Sequence, residues 1–167
     1  PTCGGGIGGD PVVVAKDGRK TAFWLPLGKW ISVFQVEDYE LLARSFGRVG
    51  THQQWIDGIA LKHGDELVFD AVVSHENKTI MTKLDNMPLS SSFSPSRKSP
   101  AVSVELDKHH SRYSHIIGGY DTQVNLHTPY FDIHAFLMPA IKYADVELAA
   151  KYAHIDWRFL NFKDTQE

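Results

Sequence analysis

The sequence predicts an all-β fold, a two-sheet antiparallel β-sandwich with at most one short helix. Three observations predict it. Short runs of β-branched and aromatic residues recur along nearly the whole chain. Turn residues separate those runs at short, regular spacing. A chain of 167 residues is long enough for one domain to bury a core without disulfides.

The elements follow in chain order. Residues 1–9 are rich in glycine and read as a flexible N-terminus, and residues 10–163 read as a single β domain. Gly9-Asp10-Pro11 turns the chain into Val12-Val13-Val14, and Lys16-Asp17-Gly18 reverses it into Thr21-Ala22-Phe23-Trp24. Asp-Gly accepts positive φ, so this is a hairpin with defined turn chemistry. Trp30 to Val36 alternates apolar and polar residues, as a half-buried strand does. Trp55 to Leu61 and Glu66 to Phe69 flank His63-Gly64-Asp65, a second hairpin turn. Strands are expected over 11–16, 20–25, 29–36, 40–47, 54–62, 66–73, 78–84, 101–107, 122–128, 130–138 and 153–162. The Ser/Pro stretch 88–100 reads as a surface loop or a partly disordered one. Residues 144–152 are good helix formers and are the place for one short helix before the last strand.

The net charge of −3 gives no long-range attraction to nucleic acid or to anionic membrane. Its densest basic pair, Arg97-Lys98, lies in the Ser/Pro stretch. No apolar run reaches the roughly 20 residues of a membrane span, and none has the pattern of a secretory leader. A chain starting at Pro1 reads as a processed or trimmed product. Cys3 is the single cysteine, so no disulfide forms within these residues; it is either an inert thiol or a bond to another chain or to a segment outside this sequence.

Nine histidines invite a metal or acid–base reading. Asp132 and His134 are two apart on an expected strand, so they share one face and could ligate a metal together. His109, His110 and His115 lie close in sequence, but no spacing matches a zinc motif. His127 and His134 alternate with apolar residues, which places at least one beside the core, neutral and hydrogen-bonded. There is no Gly-x-Ser-x-Gly elbow, and the carboxylates at Asp38, Glu40, Asp65 and Glu66 read as solvated turn residues. The glycines at 4–9 lack the strand, helix and Lys-Ser/Thr of a phosphate loop. Asn77-Lys78-Thr79 is a glycosylation sequon. Trp24, Trp30, Trp55 and Trp157 are core aromatics or, where exposed, platforms for sugar rings.

The opening segment resembles a von Willebrand factor type D domain. Gly9, Asp10 and Pro11 stand where that family has Gly-Asp-Pro-His, with Val12 in the place of the histidine. Lys16, Asp17 and Gly18 stand at the spacing of its Phe-Asp-Gly, and Gly28-Lys29-Trp30 is similar to its entry into the next strand. The C-terminal half, through Phe46-Gly47-Arg48 and Tyr152 to Phe159, is similar to plant root-cap and late-embryogenesis-like secreted proteins. The resemblance implies a secreted, extracellular β-sandwich and a calcium role for Asp17. The partner loop and the Cys pairs of the family are absent from the sequence. Calcium takes about six to eight oxygen ligands, and Asp17 otherwise serves as a turn residue. The function expected is non-catalytic: a structural or adhesion module that assembles with itself or with extracellular-matrix chains, with Cys3 as a candidate intermolecular bond. The alternative is a carbohydrate-binding sandwich that holds polysaccharide on exposed aromatics. A metal-dependent enzyme centred on Asp132 and His134 is the third reading. No cofactor is expected, calcium aside.

Overall fold

In the computed structural model the described residues are 12–14, 20–22, 26–47, 54–76, 79–89, 91–110, 120–138 and 154–163. All their regular structure is strand, and no helix occurs among them. The expected helix at 144–152 lies outside the described residues. The opening hairpin is present as β1 (Val12–Val14) and β2 (Lys20–Ala22), paired antiparallel with Val13 opposite Thr21.

The rest forms a two-sheet antiparallel sandwich built from two successive meanders. The first sheet runs β3 (Ile31–Val36), β4 (Tyr39–Gly47), β5 (Gln54–His63), β6 (Glu66–Ser74), β7 (Thr79–Leu84) and β8 (Met87–Pro88), each paired with the next. The second runs β9 (Phe93–Pro95), β10 (Ser103–His110), β11 (Tyr120–His127), β12 (Phe131–Met138) and β13 (His154–Phe162). One pair, Ile56 opposite Ile155, stitches β5 to β13 at a corner where the two sheets meet.

Turn chemistry sets the registers. Glu37-Asp38, Gly64-Asp65 and Asp85-Asn86 are each two-residue hairpin loops. Gly64 has φ +61°, which costs a glycine nothing. Asp85 and Asn86 both have positive φ, the pattern of a type I′ turn. Glu37 holds φ +54° without that freedom.

Alternation then sorts the side chains. Tyr39, Leu41, Ala43, Ile59, Leu61, Phe69, Ala71 and Val73 face inward from the first sheet. Val104, Val124, Leu126, Phe131, Ile133, Ala135 and Leu137 meet them from the second. Phe34 packs edge-on against Phe131 at 5.0 Å, joining the layers. The Ser/Pro stretch is more than a surface loop: it contains β9, and Ser96 and Ser99 are buried in the turn after it.

Candidate functional site

The first sheet has three β-bulges, and those in the β4–β5 and β5–β6 ladders shape its outer face. The register slips between Arg44 and Ser45, so Asp57 has no partner across the ladder. A bulge lets neighbouring residues share a face. Asp57 is thereby placed beside Arg44, with only 4% of its surface exposed. Its Oδ1 accepts from Arg44 Nε at 3.0 Å, and its Oδ2 lies 2.8 Å from His75 Nε2. The second slip, after Leu61, turns both Val68 and Phe69 into the core and leaves Leu67 outside.

Trp30 lies over this face. A Cβ added at Gly58 would come within 2.7 Å of the Trp30 ring, so the ring rests where only glycine leaves room. Arg44 lies over the same indole, its guanidinium carbon 5.4 Å from the ring centroid. Beside this pair opens a cleft of about 590 Å³. Its floor is Leu42, Ala60 and Val72, and Leu67 and Trp30 form its apolar sides. Arg44, Lys62, Asp65 and Asp70 supply its charge. Leu42, Ala60 and Asp70 are register partners across three strands, so the cleft runs across the ladder. Burial pushes the Asp70 carboxyl above the usual aspartate range, and Lys83, opposite it on β7, only partly offsets that.

A second polar cluster ties three turns together at one end of the sandwich. His63 Nδ1 lies 2.7 Å from Ser99 Oγ, and its Nε2 lies 2.8 Å from Asp38 Oδ2. Tyr39 stacks flat on the His63 ring at 4.1 Å. These are the residue types of a hydrolase triad, but the ring nitrogens are exchanged relative to that pattern. Ser99 is also 1% exposed and accessible to no substrate. The cluster continues inward: the Ser99 amide donates to Ser96 Oγ, which donates to Asp85 Oδ1 at 2.6 Å. The amides of Arg97 and Lys98 donate to the same Asp85 carboxylate. Burial raises the Asp85 pKa, but these donors and the Arg97 charge outweigh it and hold the carboxyl below its usual range.

On the outer face of the second sheet, Asp132 and His134 do share one side of β12, as their spacing requires. The partners of Asp132 are different ones: His127 Nδ1 at 3.0 Å and Lys163 Nζ at 3.0 Å. His127 Nε2 reaches Glu105 at 2.6 Å. A neutral ring donates to one of these carboxylates, a doubly protonated ring to both. His127 and His134 are half-buried on this face, between core positions rather than among them. No group of three or more metal-ligating side chains occurs among the described residues.

The signature residues Gly9, Asp10, Pro11, Asp17 and Gly18 lie outside the described residues, as do Cys3, Asn77, Trp24 and His115. Of the tryptophans, Trp55 is buried and Trp30 is exposed. Sequence reading named Trp30 but missed Gly58, Arg44, Asp57 and Asp70, which hold it or share its cleft. No helix among the described residues is long and apolar enough to cross a membrane. The chain matches no family model, no curated protein and no solved structure in the comparisons made.

Proposed function

We propose that the chain is a non-catalytic assembly module that works outside the cell, joining copies of itself or other extracellular chains by adding strands at an open edge. The observation that carries this reading is β3. It is six residues long and pairs only with β4 among the described residues. Ile31 to Val36 contains no proline, lysine or other charge of the kind that blunts an edge, and beyond its one bulge, between Ser32 and Phe34, the run Phe34 to Val36 keeps a regular register with β4. The edges at β8 and β9 are only two and three residues long, and each contains a proline. Two edges are thus short and proline-bearing, and the third offers its regular run Phe34 to Val36 to an added strand. The type D resemblance of the opening signature and the sequon at Asn77 support an extracellular setting, and Cys3 would lock such a contact covalently.

Sedimentation at rising concentration tests the reading. Association that disappears in a Ser32→Lys/Gln35→Lys variant supports it, because both residues are exposed on β3. A monomer at every concentration, together with an intact mass from native material unchanged by reductant, overturns it.

A further inference from the structure

The lining of the Trp30 cleft combines features that point to a specific ligand chemistry. It carries two cationic side chains, Arg44 and Lys62, and two anionic ones, Asp65 and Asp70. Among the described residues, Arg44 uses its Nε on Asp57, the side chains of Lys62, Asp65 and Asp70 make no hydrogen bond, and Asp70 faces Lys83 across the ladder. A charged ligand would gain from one sign here and lose to the other. A neutral ligand rich in hydroxyls loses to neither, because each hydroxyl both donates and accepts.

The apolar part fits the same chemistry. Trp30 is 39% exposed, yet Gly58 and Arg44 fix where its ring lies. A half-exposed indole held in place is a preorganised platform, and preorganisation lowers the entropy cost of binding. Leu42, Ala60 and Val72 complete an apolar floor for the C–H face of a ring. An extended peptide gains little here, because the floor strands already pair on both sides in their ladders and offer no backbone to a newcomer. The three strands place the polar side chains across about 10 Å, at ~4.8 Å per strand, a span suited to more than one sugar ring. Trp30 and Leu67 at its sides are both exposed, so a unit inside a longer chain can reach it.

We propose that this cleft binds a neutral polysaccharide, with one pyranose ring stacked on Trp30 and its hydroxyls donating to Asp70 and Asp65 and accepting from Lys62 and Arg44. This goes beyond the assembly reading and uses a different surface from the β3 edge, so either can fail alone.

The test is native-gel retardation by soluble hydroxyethylcellulose, arabinoxylan, galactomannan and mixed-linkage β-glucan, followed by calorimetry with the hexasaccharide of any polymer that retards. Expected is retardation by at least one polymer, weakened about tenfold or more by Trp30→Ala and by Asp70→Ala. Trp30→Phe, which keeps an aromatic face, retains most of the binding. Glu105→Gln, on the other sheet, changes nothing. Retardation by none of the four polymers overturns the proposal. Retardation that survives both Trp30→Phe and Asp70→Ala unchanged, with Trp30→Ala either unchanged or unfolded, also overturns it, since the sugar then binds elsewhere.

Discussion

Replacing Gly58 with alanine tests whether Trp30 is held as described. The new Cβ would stand 2.7 Å from Trp30 Cη2 and 3.1 Å from Cζ2, so the ring has to move. Trp30 is 39% exposed, which leaves most of the residue in contact with its neighbours. A tryptophan buries ~150–250 Å² when fully packed, so roughly 100–150 Å² is in contact here, worth about 2.5–4 kcal/mol at ~25 cal/mol per Å². Swinging the ring aside forfeits about half of that, together with an Arg44 contact worth ~0.5–1 kcal/mol. Alanine in a strand regains ~0.5–1 kcal/mol over glycine. The net expectation is a loss of about 1–2 kcal/mol. In a Trp30→Ala background nothing remains to clash, so Gly58→Ala becomes stabilising by ~0.5–1 kcal/mol. The coupling between the two sites is therefore about 2 kcal/mol in a double-mutant cycle. Urea unfolding followed by far-ultraviolet circular dichroism reads it without interference from the other tryptophans. An equal cost of Gly58→Ala in both backgrounds would refute the argument.

Three more outcomes are expected. Ser45 is fully buried, and its hydroxyl has no partner among the described residues; Ser45→Ala should raise the urea midpoint by the equivalent of about 1 kcal/mol, and a lower midpoint would mean the hydroxyl is satisfied. The raised pKa of Asp70 means the folded state holds its proton more tightly than the unfolded chain. Stability from this group therefore falls as pH rises from the ordinary aspartate value through the folded one. Asp70→Asn should be more stable than the parent at pH 7 and equal to it near pH 3, and parallel stability curves across that range would count against the assignment. Asp85 has the opposite sign: its pKa is lowered, so its contribution is present above the ordinary value and is lost as pH falls through the folded one. Asp85→Asn keeps a residue tolerant of φ +54° and should cost about 1 kcal/mol at pH 7, with the gap closing in acid.

Every run expected as a strand is one, with ends shifted by a few residues, because alternation and turn residues are local signals. The short strands ending at Pro88 and Pro95 were not legible, because serine and proline over 88–100 are loop signals and each strand is held by only two or three ladder pairs. The pairing of β5 with β13 was not legible, since nothing local in Ile56 or Ile155 specifies the other. The candidate site divides in the same way. Trp30 stood out by type, but its exposure depends on Gly58 beneath it and on a bulge that moves Asp57 to the Arg44 side. His63 closes β5, Asp38 lies in the β3–β4 turn and Ser99 in the turn after β9, so their meeting is a product of the sandwich alone.

The stitch between Ile56 and Ile155 also sets an order of events for a growing chain. Each meander pairs only sequence neighbours, so its contacts close short loops and form early. The stitch joins residues about a hundred positions apart, and its loop-closure cost falls at the end. Until β13 leaves the ribosome, the core faces of both meanders lack their final seam and the edge of β12 stands unpaired. A chain cut before His154 should therefore keep its hairpins and lose its solubility, making the last strand the seal on the molecule rather than an appendage.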